Sequence, residues 1–502
     1  MVAFVGCDLG TMGTKAAVVS LDGQILGQAF EEVPLHTPRP GVAEQSLDEI
    51  EVSAHRTIRT AVERAGDVEI GGIAFSGQMS GIGTIDDDFH PATHFDSWLD
   101  SRCAPYILEM GQNDRRVTEL SGCPPTYSHG PKILWWKHER PRDFERIAKF
   151  LVPAAYVAGR LCELKVEDTF IDRTYLHFTN LADTKSAVWS SELLEGFGVD
   201  SRLLPRIVDP LDVVGEVGEE AARVTGLPVG TPVVAGAGDQ AAAALGAGVV
   251  DPGQAFDSSG TACVFALCLD EYAPDVANRT FMATHSVLAG TFLSVAFING
   301  GGLALRWFRD EVAGLSETPD AYETLHRMAG EVEIGSGNLL WYPHFQGRVL
   351  PPDPNARGGW MGLTGGHRLG HMFRAILEGI AYQYAEWANL MSEAGGKTPD
   401  EARVLGGGAR SGLWNQIKAD VLGIEWVPTT REDCGVLGDA LIAAVGTGRL
   451  DVSELAETAR RWQPTGESIR PDPERHTRYR HYREAFRELA DVSGSVFRRL
   501  GG

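Results

Sequence analysis

Val2-Ala-Phe-Val-Gly6-Cys-Asp8-Leu-Gly10-Thr11-Met-Gly13-Thr14-Lys15-Ala-Ala-Val-Val19 decides the fold. The apolar run Val2 to Val5 reads as a buried strand, Asp8 to Lys15 as a turn and Ala16 to Val19 as a second strand. Asp22-Gly23 is a hairpin signal, with Gln24 to Glu31 as the third strand. Ser46-Leu-Asp-Glu49 has the form of a capping box and opens a helix to about Ala65, before the strand Ile70 to Phe75. The same grammar returns in the second half. Gly253 to Phe256 enters a strand, Asp257-Ser-Ser-Gly260-Thr261 turns, and Ala262 to Leu267 leaves. Asp, then Gly-Thr, between two apolar strands in each half points to a duplicated α/β domain. The hinge falls near Gly246 to Gly253, dividing the chain into 1–247 and 248–502. Pro471 to Arg499 carries Tyr479, Tyr482, Phe486 and Leu489 at helical spacing, interleaved with Arg, and reads as an amphipathic helix packed on the body. A basic stripe for RNA is the sharper alternative.

That alternative conflicts with the charge. Asp and Glu number 68 against 45 Lys and Arg, giving −23. A chain that acidic repels nucleic acid and anionic membranes at long range, yet it can still hold a nucleotide locally through backbone N–H groups and a metal. The seven cysteines are scattered, with neither a CxxC pair nor zinc spacing, as expected of reduced thiols in the cytoplasm. Neither a signal peptide nor a membrane-spanning run is visible. The 59 glycines call for tight turns or for backbone that comes close to something.

Three glycine-rich elbows follow strands. In the first, Gly6 to Lys15, backbone N–H groups and the Thr11 and Thr14 hydroxyls can approach phosphate oxygens, and Asp8 at the strand end can hold hydrated Mg²⁺. It lacks the Walker A spacing. The second, Val233-Val-Ala-Gly236-Ala-Gly238-Asp239-Gln240-Ala241, matches the weak dinucleotide pattern G-x-G-x-x-A. Asp239 inside that turn would repel a pyrophosphate, however, and is better placed to take a proton from a substrate hydroxyl. The third, Gly406-Gly407-Gly408-Ala-Arg-Ser411, leads into a helix and suits the nucleoside side of a nucleotide; Asn299-Gly-Gly-Gly302 is a similar elbow. Gly77-Gln78-Met79-Ser80 after a strand, followed by Trp98-Leu-Asp100-Ser-Arg102, offers an aromatic face, a carboxylate and a guanidinium for a polyhydroxylated ligand, or else a buried Trp with a structural Asp–Arg pair. His367 and His371 stand at i, i+4 without a third ligand, and Asp86 to Asp88 reads as a solvated turn.

Taken together and in order, these residues resemble the FGGY family of carbohydrate kinases, with the xylulokinase-like branch nearest. Gly6-x-Asp-x-Gly-Thr-x-x-Thr-Lys15 resembles the first phosphate motif, Gln78-Met79 and Trp98-x-Asp-x-Arg102 the sugar motifs, and Thr126 to Trp136 the segment that closes over the sugar. Gly236-x-Gly-Asp-Gln240 is similar to the catalytic turn and Ser259-Gly-Thr261 to the second phosphate motif. Asp353-Pro-Asn-Ala-Arg-Gly358 and Arg374-Ala-x-Leu-Glu-Gly379 resemble the C-terminal signature, and Gly406 to Ser411 with Trp414 the adenosine motif.

The resemblance implies two actin-like (ribonuclease H-like) domains of the sugar kinase/Hsp70/actin superfamily around a central cleft. Sugar is expected in the N-terminal half and MgATP on the C-terminal side. Asp239 would be the base and, with Asp8, would support Mg²⁺. Gln78, Met79, Ser80, Trp98, Asp100, Arg102, Tyr127, Asp239 and Gln240 are expected at the sugar. Gly10, Thr11, Thr14, Lys15, Gly260, Thr261, Gly302, Gly407 and Gly408 are expected at ATP. The activity implied is phosphorylation of a terminal hydroxyl of a ketose or polyol, with neither nucleic acid nor membrane as partner; a homodimer is left open. Three positions depart from the family: Ser80 stands where His is usual, Gln346-Gly-Arg348 lacks a Glu, and Glu167 to Asp172 replaces an Asp-x-Ser-x-Ala stretch. The rival readings are a non-kinase actin-like ATPase and a nucleotide-binding oxidoreductase.

Overall fold

The structure, a computed structural model, describes residues 1–500; Gly501 and Gly502, which end the expected domain 248–502, lie outside the described residues. Along the chain the elements that matter are β1 (Val2–Leu9), β2 (Gly13–Ser20), β3 (Ile25–Glu32), α1 (Leu47–Ala65), β4 (Glu69–Gly77), β5 (Val213–Glu216), β6 (Pro232–Gly238) and α2 (Asp239–Gly246). Then come β7 (Gln254–Ser259), β8 (Cys263–Leu269), β9 (Phe292–Ile298), α3 (Gly301–Trp307), α4 (Leu369–Gly395), β10 (Glu401–Leu405), α5 (Gly412–Leu422), β11 (Glu425–Pro428), α6 (Cys434–Gly446) and α7 (Pro473–Leu500). Two compact units result. The first gathers Met1–Val250, Met282–Leu293 and Asp433–Gln463; the second gathers Asp251–Phe281, Ser294–Glu432 and the chain from Pro464 on.

In the first unit the sheet runs β5-β6-β4-β1-β2-β3. β4 is parallel to β1 and β6 to β4, while β2 pairs antiparallel with both β1 and β3. In the second unit the order is β9-β8-β7-β10-β11, with β8 antiparallel to β7, β10 parallel to β7 and β11 parallel to β10. Apart from the added edge strand β5 in the first sheet, the two orders are the same. The duplication expected from two short matches is thus written in the sheets, one mixed sheet per domain.

The first turn is tighter than expected. β1 continues through Asp8 to Leu9 and pairs with Lys15 and Thr14, leaving Gly10-Thr11-Met12 to turn. β1 is flanked by β2 and β4, so its backbone groups are satisfied by the ladder up to that point. α1 begins where the capping residue predicts, with Ser46 accepting from the Glu49 N–H at 3.4 Å. Its buried face, Leu47, Ile50, Ala54, Ile58 and Ala61, packs on β2 and β3. α6 packs against β1 and β4 and crosses α2 at backbone contact. A Cβ on Gly438 would stand 2.0 Å from the carbonyl oxygen of Ala242, so only glycine permits the crossing.

In the second unit, α7 packs on the body as its spacing suggests. Tyr479 and Phe486 are each 1% exposed. The Tyr479 hydroxyl donates to Glu378 at 3.0 Å and accepts from Arg374 at 2.9 Å, while Arg374 and Glu378 pair along one face of α4. Ser336 and the Gly335 N–H donate the remaining bonds to Glu378. Asp257 forms a fully buried ion pair with Lys418 of α5, and its Oδ1 accepts from Tyr384 and Ser259 at 2.8 and 2.7 Å. The Lys418 ammonium also lies 3.6 Å from the centre of the Trp414 ring. All seven cysteines are free thiols, and no helix among the described residues is long and apolar enough to cross a membrane.

Removing one partner of such a pair leaves the other charge buried and unpaired. Lys418→Met is therefore expected to destabilise the second unit by about 3–5 kcal/mol, read as a lowered denaturation midpoint. A midpoint unchanged from wild type would show that Asp257 does not depend on Lys418.

Candidate active site

The first unit concentrates carboxylates where β1, β4 and β6 end. Ser76 on β4 stands beside Asp8, its register partner on β1, and its hydroxyl lies 3.1 Å from Asp8 Oδ1 and 2.9 Å from Asp439 Oδ2. One hydroxyl proton cannot serve two carboxylates at once. Burial raises Asp8 above its ordinary range, against the hydrogen bond from Ser76 and the charge of Lys15. Burial and then the Asp8 charge raise Asp439 far above its own.

Asp239 opens α2 directly after β6. Burial, with the charge of Asp8, pushes its carboxyl up to about 7. Among the described residues, the buried Oδ1 atoms of Asp239 and Asp439 have no hydrogen-bond partner. The loop cation Lys15 forms an ion pair with Asp433. The group is short of positive charge and holds hard oxygen donors, which suits Mg²⁺; that ion takes one or two carboxylates and keeps several waters. Among the described residues, no three His, Cys, Asp or Glu side chains converge to hold an ion by themselves.

The first glycine elbow and the expected sugar residues are bonded to one another. The Trp98 indole N–H donates to Thr11 Oγ1 at 2.8 Å, and that hydroxyl lies 3.5 Å from Gln78 Oε1. Gln78 Nε2 donates to Gln45 at 2.7 Å, and Gln45 donates to the Thr11 carbonyl at 3.1 Å. Gly10 closes the turn through its N–H to Gly13. Thr14 is turned the other way: it is buried and hydrogen-bonded at 2.6 Å to Ser53 of α1. Met79 packs against Gly238, whose added Cβ would meet the Met79 side chain at 2.4 Å. Ser80 has φ of 63° and donates to the Tyr127 carbonyl at 2.8 Å, to which the buried Lys132 also donates at 2.6 Å. Tyr127 itself is half-buried, and Gln240 Oε1 is buried without a partner.

Asp100 and Arg102 are committed to structure. Asp100 accepts from the Ala43 N–H at 2.9 Å and from the Arg102 backbone and side chain. Arg102 also pairs with Asp96 at 2.6 Å and Glu44 at 3.4 Å, and its guanidinium lies 4.6 Å from the centre of the Trp135 ring. Sequence reasoning missed Asp96, Asp433 and Asp439. Asp439 carried a signal, since it is the lone carboxylate of the otherwise apolar helix α6. The histidines at 367 and 371 cap local backbone: the Thr364 and Arg368 N–H groups donate to their Nδ1 atoms at 2.9 and 3.3 Å.

In the second unit the expected nucleotide residues meet in one place. Gly260, Thr261, Gly302, Gly407 and Gly408 all line a cavity of about 700 Å³, walled also by Trp414. The close approach is built into the backbone, because a Cβ on Gly302 would stand 1.9 Å from the Gly260 carbonyl oxygen. Arg410 of the third elbow stands on the same walls, with Arg306, Tyr322 and His326, which sequence reasoning missed. Of the three departures from the family pattern, Ser80 and Asp172 lie in the first unit and Gln346 to Arg348 in the second.

Comparison with known proteins shows the family. The model of the FGGY family of carbohydrate kinases, N-terminal domain, matches residues 3–246, and that of the C-terminal domain matches residues 256–447. A xylulose kinase of Bacillus subtilis (strain 168) is 29% identical over 470 residues, 90% of each chain. A gluconokinase of the same organism is 28% identical over 485 residues, covering 93% of this chain and 92% of that one. The solved structure of xylulose kinase from Rhodospirillum rubrum superposes with a TM-score of 0.90 at 26% identity, over 99% of this chain and 100% of that chain. The chain belongs to the FGGY family of carbohydrate kinases, phosphotransferases that use ATP with Mg²⁺.

Proposed function

We propose that the protein transfers the γ-phosphate of MgATP to a terminal hydroxyl of a small ketose, a xylulose-like ketopentose in the first place, or of a polyol. The observation that carries this reading is Asp239, whose buried Oδ1 has no partner among the described residues. There it can accept the proton of the attacking hydroxyl as the phosphoryl group arrives. Asp8 holds the metal, Thr11 and Gly10 face phosphate oxygens, and Gly260 and Thr261 face the γ-phosphate. Gly302, Gly407 and Gly408 border the nucleoside. Mg²⁺, when bound, neutralises charge on the phosphates and on the Asp8 group. Gln78, Trp98 and Tyr127 serve the acceptor, with Ser80 fixing the Tyr127 backbone. Arg102 is held by three carboxylates and so is not free to bind an acid group, which favours a neutral acceptor over an aldonate. The seven free thiols suit a cytoplasmic setting.

Three measurements test this reading. Across D-xylulose, D-ribulose, polyols and D-gluconate, a neutral acceptor should stimulate ADP formation and Asp239→Asn should lose about 10²–10⁴-fold of that rate. Equal turnover in the variant would remove Asp239 as the base, and preference for gluconate would overturn the neutral acceptor. The base works ionised, so kcat/KM should rise with pH along a limb whose apparent pKa lies at or below about 7, the side to which bound Mg²⁺ moves it, and Asp239→Asn should lack that limb. A profile flat from pH 5 to 8 would contradict it. Gly302→Ala, which drives a methyl group into the Gly260 carbonyl, should raise KM for ATP about tenfold or more while leaving the acceptor KM within a few-fold.

A further inference from the structure

The segment Asp172-Arg-Thr174-Tyr175 begins at Asp172, the last residue of the stretch Glu167 to Asp172 that departs from the family pattern, and the structure uses it at the base of the catalytic turn. Asp172 is 2% exposed, and Thr174 and Tyr175 are fully buried. Asp172 Oδ1 accepts from the Thr174 N–H at 2.9 Å and from the Thr174 hydroxyl. That hydroxyl in turn accepts from the Gly238 N–H at 2.8 Å. Gly238 is the residue immediately before Asp239 and caps α2. One residue on, the Tyr175 hydroxyl donates to the Gly77 carbonyl at 2.9 Å and lies 3.5 Å from the Ala237 carbonyl. Gly77 pairs with Gly238 in the parallel register of β4 and β6, directly before Gln78 and Met79. Thr284 fixes the segment from its far side through the Thr174 carbonyl at 2.8 Å.

We propose that Thr174, oriented by Asp172, is a positioning residue for Asp239; this rests on the kinase reading above. A threonine hydroxyl has one proton and two lone pairs. The Thr174 hydroxyl donates its proton in a hydrogen bond to the Asp172 carboxylate, so a lone pair is left facing the Gly238 N–H. The N–H of Gly238 can be satisfied there only while β6 and the first turn of α2 keep their present path, and that path sets where the Asp239 side chain begins. Tyr175 ties the same junction to the end of β4. The catalytic turn and the strand that carries Gln78 are therefore held by one four-residue segment. Arg173, inside it, pairs with Asp209 and donates to the Val287 carbonyl at 2.7 Å, anchoring the segment itself.

The test replaces the hydroxyl without changing volume. Thr174→Val removes both bonds and leaves the Gly238 N–H unpaired, whereas Thr174→Ser keeps both. In the full-length enzyme with MgATP and its stimulating acceptor, Thr174→Val should lower kcat by about 10- to 100-fold with both KM values within threefold. Thr174→Ser should recover kcat to within about threefold of wild type, as a group that acts only through its hydroxyl allows. The midpoint of thermal unfolding, with and without ATP, separates misplacement from unfolding. A Thr174→Val enzyme that melts earlier yet keeps wild-type kcat, or a Ser variant as slow as the Val one, would overturn the proposal. A wild-type enzyme that forms no ADP with any acceptor would instead overturn the kinase reading, and equal rates for wild type and Asp239→Asn would remove the base that Thr174 is said to place.

Discussion

Asp8 carries the charge around which the first unit is organised, and the second unit shows what the fold does with such a charge when it is structural. Asp257 also sits near the end of a first strand, just before a Gly-Thr turn. There the buried carboxylate meets a buried ammonium, two hydroxyls and the face of a tryptophan around its partner. Asp8 meets a shared serine hydroxyl and a second carboxylate instead. A protein interior does not leave that much negative charge uncompensated at neutral pH without a proton or a cation from outside. The contrast between the halves leaves the Asp8 group short of positive charge, whereas Asp257 is balanced within its own unit.

The two carboxylates also lie on opposite faces of equivalent sheets. Asp8 faces α6, through Ser76 and Asp439, while Asp257 faces α4 and α5 through Tyr384 and Lys418. α4 holds the place before the fourth strand of its sheet that α1 holds in the first. The second motif has one more residue between Asp and Gly than the first, and in a strand a one-residue offset turns a side chain to the other face. A repeat that looks nearly identical in sequence therefore has two different chemical consequences.

The stretch from Trp98 to Arg102 illustrates how members of one expected motif can part company. Trp98 and Gln78 reach the Gly10-Thr11-Met12 turn, whereas Asp100 and Arg102 spend their hydrogen bonds on Ala43, Asp96 and Glu44. The sequence pattern Trp-x-Asp-x-Arg is one unit on paper. In three dimensions its first member meets the loop and the other two brace the polypeptide behind it. Likewise, the Arg-x-x-x-Glu pair of the C-terminal signature is a buried i, i+4 pair that docks α7 on α4 through Tyr479.

What the sequence determined by itself was whatever local pattern can encode. Short apolar runs, a helix capped at Ser46 and glycine elbows after strands were enough for the α/β halves, and the order of motifs was enough for the family. The elbow residues Gly260, Thr261, Gly302, Gly407 and Gly408 were legible for the same reason, because backbone that must come close is written as glycine. Only the tertiary structure decided which charges meet. Asp433 and Asp439 lie 192 and 198 residues beyond Ala241, the end of the second glycine elbow, yet α6 returns to the first unit and packs on β1. Thr174 lies 64 residues before the glycine it holds. Contacts of that kind depend on strand order and helix placement, which no window of sequence contains, so the residues that balance and position Asp8 and Asp239 became visible only once the chain was folded.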